Sequence, residues 1–177
     1  MGLRINRLVI ATNSNDILAR AFEEGRYARG AVAATQSPAM DIQVASNFER
    51  LYFEAVGRDG VETGRAFRAF AGTGVLDIPP SAHGKMRELF QGASVSEADT
   101  AKTILSTLNE TGEVIDPHTA VGVAAANVLR LADPATPTVV SGSTYDTGLV
   151  SAVQHGDTVR LVLTTPLPDL DFVQPHG

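Results

Sequence analysis

Two short strings in this chain carry residue types that could do chemistry: Ser37-Pro38-Ala39-Met40-Asp41-Ile42 and Asp116-Pro117-His118-Thr119-Ala120-Val121-Gly122. The second gathers a carboxylate, an imidazole and a hydroxyl at the head of an apolar run. Asp at a cap with Pro directly after it is a helix-start signature. A helix N-terminus pointing into a cleft also offers free N–H groups and polar side chains to an anionic or ring-nitrogen ligand. Asp116, His118 and Thr119 therefore read both as a cap and as candidate ligand contacts, and the two readings are compatible. The first string runs into Ser46-Asn47-Phe48-Glu49-Arg50-Leu51. A turn such as Ser37-Pro38 needs only a few residue types, so a Met, an Asp and a capped helix in fixed order ask for a further reason. Asp41 is the candidate there, with a turn or helix-cap carboxylate as its structural alternative. Ser141-Gly142-Ser143-Thr144 follows the strand-like Thr138-Val139-Val140. Small-residue loops at the carboxyl edge of a sheet are where ligands bind in open α/β folds.

Other chemistries find little support. The four histidines, His83, His118, His155 and His176, show no HxxxH or HxH spacing, which argues against a metal centre. There is no G-x-S-x-G elbow and no G-x-x-x-x-G-K-[ST] loop. The chain lacks cysteine, which removes disulfides, thiolate nucleophiles and Cys-based zinc sites, and fits a cytoplasmic setting. A net charge of −6, with two lysines and twelve scattered arginines, argues against a nucleic-acid or anionic-membrane surface. The apolar run Leu8–Ala11 is too short for a signal peptide or a membrane span.

The elements that must position these residues alternate. Arg7–Ala11 reads as a buried strand, and Asn13 with Asp16 as the start of a helix whose inner face is Ile17, Leu18, Ala21 and Phe22, closed by Gly25. Ala31–Thr35 is expected to be a short strand. Ser46-x-x-Glu49 is a capping box ahead of Phe48, Leu51, Tyr52, Ala55 and Val56. Phe67 and Phe70 suggest a further helix, and Met86, Leu89 and Phe90 a short one. A helix opening at Ser96-x-x-Asp99 is expected to turn Ala98, Ala101, Ile104, Leu105 and Leu108 inward. The next, Pro117 to about Leu131, is apolar on nearly every side and is expected to be central and buried. Val159–Leu163 suggests a last strand. The pattern predicts one α/β domain over residues 1–165 with a loose tail over 166–177.

Ala11-Thr12-Asn13-Ser14-Asn15-Asp16 and the two strings above occur in the order that threonine synthases carry them, and the chain resembles that family from about Arg7 to Val140. The resemblance implies the carboxyl-terminal portion of a partial tryptophan-synthase β-like fold (PLP fold type II), a three-layer sheet with helices on both faces. It implies pyridoxal 5'-phosphate as cofactor and the conversion of O-phospho-L-homoserine and water to L-threonine and phosphate. It further implies Asp116, His118, Thr119 and Ser143 on the cofactor side and Asp41 on the substrate side. The family's Schiff-base lysine and Gly-rich phosphate loop fall in an amino-terminal portion without counterpart here. Lys85 and Lys102 are poor substitutes, expected on solvated helix surfaces. After Val140 the family carries a Thr-Ala-His-Pro-Ala-Lys-Phe-like segment, where this chain has Ser141-Gly142-Ser143-Thr144-Tyr145-Asp146-Thr147-Gly148. Ser143 is the candidate for the family's threonine hydroxyl.

Two readings follow. The chain is part of an enzyme, inactive alone and completed by a polypeptide that carries the lysine. Otherwise it is a non-catalytic remnant that binds a metabolite or a partner. The first reading expects a large exposed apolar face.

Overall fold

The aliphatic run after Arg7 extends into a nine-residue strand, β1 (Arg4–Thr12), at the centre of the sheet. The computed structural model describes residues 4–132, 138–141 and 158–164. The elements after β1 are α1 (Ile17–Glu24), β2 (Arg26–Ala28), a 3-10 helix (Pro38–Met40), α2 (Phe48–Ala55), α3 (Gly60–Thr73) and β3 (Val75–Asp77). Then come α4 (Pro80–Leu89), β4 (Phe90–Ser94), α5 (Glu97–Thr111), α6 (Pro117–Ala132), β5 (Thr138–Ser141) and β6 (Thr158–Thr164). Four strands make a parallel sheet in the order β4-β1-β6-β5. β2 and β3 form a separate antiparallel ribbon.

A parallel sheet is covered on both faces, and successive side chains of a strand alternate between them. β1 does this. Leu8 and Ile10 enter a core with Ile17, Phe22, Tyr27, Phe48, Tyr52 and Phe70. Val9 and Ala11 enter a second core with Met40, Val95, Val121 and Ala125. Helices thus lie on both faces of an α/β sheet. The first core is rich in rings, with Tyr27 stacked on Phe48 at 4.1 Å and Phe22 on Phe90 at 5.6 Å.

Several expectations are corrected. Ala31–Thr35 forms no strand, because its amides are taken by side chains, Ala33 N by Asn15 Oδ1 and Thr35 N by Asp41 Oδ2. Phe90 is not helical; α4 stops at Leu89 and Phe90 opens β4. α2 starts at Phe48 with Asn47 as its flanking residue, one position later than the Ser46 capping box expects. In α5 the buried residues are Thr100 and Thr103, while Ala98, Leu105 and Leu108 face solvent. α6 buries Ala120–Gly122 and Ala124–Ala126 but exposes Val128 and Leu131. The tail expected over 166–177 lies outside the described residues. Among the described residues no helix is long and apolar enough to cross a membrane, and no group of His, Asp and Glu could hold a metal ion.

α1 lies directly on β4. A Cβ added to Gly92 would sit 2.6 Å from Ala19 Cα and 2.7 Å from Ala19 O, both backbone atoms that cannot step aside. Gly92→Ala is expected to destabilise the fold by about 2–3 kcal/mol, as overpacking does. Gly72, near the end of α3, meets nothing within 4 Å. Gly72→Ala is expected to be neutral or to stabilise by up to about 1 kcal/mol. Urea midpoints of the two variants check both.

Candidate functional site

β1 ends at Thr12, and the chain turns at the carboxyl edge of the sheet through Asn13, Ser14 and Asn15. Asn13 and Asn15 are buried there, where an amide must find partners. Asn13 Oδ1 accepts from Asn15 N at 2.8 Å, which turns the Asn13 Nδ2 protons towards Thr35 Oγ1 (2.8 Å), Ser37 Oγ (2.9 Å) and Asp41 Oδ1 (2.8 Å). Asn15 pairs with Ala33 as a strand neighbour would, accepting from Ala33 N at 2.8 Å and donating to Ala33 O at 2.9 Å. Its Nδ2 also donates to Asp41 Oδ1 at 2.9 Å.

Asp41 is the common acceptor. Its Oδ1 also receives Thr35 Oγ1 at 2.6 Å, and its Oδ2 receives Thr35 N at 3.0 Å. Burial opposes ionisation of this carboxylate, but the hydrogen bonds from Thr35, Asn13 and Asn15 outweigh it and hold the pKa below the ordinary Asp value. Residues 33–41 thus form a strap pinned to the end of β1. At the strap's outer side Gln36 N donates to Glu97 Oε2 at 2.9 Å, at the start of α5. The other oxygen, Glu97 Oε1, is buried without a hydrogen-bond partner.

The second string lies at the N-terminus of α6. Asp116 caps the helix: its Oδ1 accepts from His118 N at 2.9 Å and Thr119 N at 3.3 Å, and its Oδ2 accepts from the Thr119 hydroxyl. Here too burial raises and the hydrogen bonds from Thr119 and His118 lower the carboxyl pKa, with a net downward shift. Ala39 N donates to His118 Nε2 at 3.3 Å. Since Nε2 accepts, the ring proton sits on Nδ1, which donates to Asp116 Oδ1 at 3.0 Å. One imidazole therefore joins the 3-10 turn of the strap to the cap of α6.

The structure brings Asp41, Asp116, His118 and Thr119 into one linked network. Ser143 lies outside the described residues. Asn13, read from sequence with Asp16 as a helix start, instead organises the loops together with Asn15; Asp16 is the residue flanking α1 and pairs with Arg20 Nε at 2.8 Å. The signal for them was a pair of amides directly after an apolar strand. Glu97 carried no signal, because a Glu in the first turn of a helix is ordinary.

The chain is 38% identical over 154 residues to threonine synthase of Pseudomonas aeruginosa, a match that covers 87% of this chain and 33% of that protein. It is 40% identical over 147 residues to threonine synthase of Saccharomyces cerevisiae, covering 75% of this chain and 29% of the relative. Among solved structures, the chain matches the PLP-bound threonine synthase from Brucella melitensis with a TM-score of 0.72 at 36% identity, covering 92% of this chain and 30% of that one. The match to yeast threonine synthase has a TM-score of 0.69 at 37% identity, covering 76% and 29%. The chain spans about a third of the length of these relatives. No family model matches it.

Asp41→Asn leaves one N–H facing an amide donor whichever way its new amide is turned. It is expected to destabilise the fold by about 2–4 kcal/mol at neutral pH, as loss of a charged acceptor among buried partners does. Because the Asp41 pKa is lowered in the fold, its contribution is complete above the ordinary Asp pKa of about 3.9 and is lost as pH falls through the folded value. Urea denaturation across the acid range should therefore show the gap between the two proteins closing below about pH 4. His118→Ala removes the acceptor for Ala39 N and should speed exchange of that amide about fivefold, the equivalent of one neutral hydrogen bond.

Proposed function

We propose that this chain, a homologue of threonine synthases over most of its length, forms one wall of the pyridoxal-phosphate site of such an enzyme. The assembled enzyme would convert O-phospho-L-homoserine and water to L-threonine and phosphate, in threonine biosynthesis. One observation carries the reading. Two strings 79 residues apart at their point of contact meet through Ala39 N and His118 Nε2, at the carboxyl edge of a parallel sheet where open α/β folds bind ligands. In this reading Asp116, His118 and Thr119 face the cofactor, and Ser143 adds a hydroxyl. Asp41 is a positioning residue, since both its oxygens already serve the strap. A cytoplasmic location belongs to the same proposal.

Pyridoxal phosphate is the cofactor that the relatives imply, and it supplies an electron sink for proton removal once joined to a lysine. The described residues do not fit that requirement by themselves. The chain has two lysines. Lys85 is exposed on α4, and Lys102 is exposed on α5, where it lines a groove against β4 and α6. No lysine joins the hydrogen bonds around Asp41 and His118. We therefore assign the lysine to the part of such an enzyme that lies outside the match to these 177 residues, and expect no activity from these residues by themselves.

Pyridoxal phosphate added to the purified chain and trapped with borohydride should give only weak, scattered labelling by peptide mass. A stoichiometric adduct on Lys85 or Lys102 would overturn the assignment. Supplied with the remaining part of a threonine synthase, the chain should support phosphate release from O-phospho-L-homoserine. Thr119→Ala should lower that rate about tenfold, the equivalent of one lost hydrogen bond of about 1.4 kcal/mol.

A further inference from the structure

We infer that the outward faces of α5 and α6, together with the free edge of β4, are the docking surface for the part of a threonine-synthase polypeptide that this chain does not span. The inference rests on the proposed function for the occupant and adds where it sits. Ala98, Ala101, Leu105 and Leu108 recur at helical spacing, the pattern of a covered face. In the fold Ala98, Leu105 and Leu108 are exposed and Ala101 is half-buried. Thr100 and Thr103 are buried instead, and Leu105 is 61% exposed. α6 packs against α5 and, after its buried residues Ala120–Gly122 and Ala124–Ala126, exposes Val128 at 69% and Leu131 at 83%.

The form of the occupant follows from what lies beside these faces. β4 is the outer strand of the sheet among the described residues, so one side of its backbone offers amides and carbonyls to another chain. A groove of about 460 Å³ runs between β4, α5 and α6, with Ala124, Ala125 and Val128 of α6 on one wall and Lys102, Thr103 and Ser106 of α5 on another. Unpaired strand backbone beside the apolar wall of α6 suits a folded polypeptide that brings its own strand and side chains. The relatives supply one of the right size, since about two thirds of their length lies outside the match.

The chain has no cysteine, so single thiols report on this surface cleanly. Leu105→Cys, Leu131→Cys and, as a control on α3, Val61→Cys (82% exposed) would each be co-expressed with tagged Pseudomonas aeruginosa threonine synthase lacking the matched stretch. The two polypeptides are expected to copurify. Maleimide labelling at Leu105→Cys and Leu131→Cys should slow at least tenfold relative to the chain alone, with Val61→Cys unchanged. Failure to copurify would overturn the inference. So would copurification with all three thiols equally reactive, or protection in the chain alone that rises with its concentration, which would make the occupant a second copy. Protected thiols without phosphate release would sink the proposed activity and leave the docking surface standing. Phosphate release with both thiols unprotected would do the reverse.

Discussion

Asn13 and Asn15 are buried where β1 has run out of strand partners, and their amide protons have to be accepted by something other than water. Asp41 meets that requirement. Because its Oδ1 takes protons from Asn13, Asn15 and the Thr35 hydroxyl, the carboxylate fixes three points of the loop at once. The same hydrogen bonds that keep it ionised keep the strap closed. The strap in turn carries Ser37 and Met40 into buried positions, and Met40 packs with Val9, Ala11 and Val121 in the second core. Packing and polar network are thus coupled. Met40 lies against β1 and α6 in the turn that Asp41 N closes on Pro38 O at 3.1 Å.

The link to α6 completes the edge. A helix begins with N–H groups that have no intrahelical acceptor, and Asp116 satisfies two of them at α6. That carboxylate also orders the imidazole ring, so that His118 presents Nε2 as an acceptor to Ala39 N. Two carboxylates, one in the strap and one at the helix cap, therefore determine the geometry from opposite sides. Pro38 and Ala39, between them, are exposed. Such an edge can contribute contacts to a ligand.

Sequence patterning revealed the central strand and most helices because they follow a single period. β1 has its aliphatic run, and α5 and α6 have a cap and a helical spacing of apolar residues. The missed elements obey no period. β2 and β3 are three residues each, too short for alternation to register. β4 reads Phe-Gln-Gly-Ala-Ser and has no β-branched residue; it is a strand because β1 offers it a parallel partner and Gly92 lets α1 approach. Ala31–Thr35 shows the opposite failure, a strand-like composition whose backbone is taken by Asn15 and Asp41 side chains. At the site, the chemically distinctive residues were legible one by one. Their joining was not, because a contact between Ala39 and His118 is a product of topology.

The disagreement at α5 is of another kind. A period was read correctly and assigned to the wrong side of the helix. Apolar spacing reports that a face is covered, but not by what. Where the cover lies within the same compact unit, the face turns inward, as in α1, whose Ile17, Leu18, Ala21 and Phe22 are buried as the spacing predicts. In α5 the face against the rest of the unit carries Thr100 and Thr103, whose methyl groups can pack while their hydroxyls bond locally; Thr100 Oγ1 donates to Ser96 O at 3.0 Å. That leaves the aliphatic stripe available for a different neighbour. A helix with two coverable faces belongs between two layers, and only one of those layers is built from the described residues.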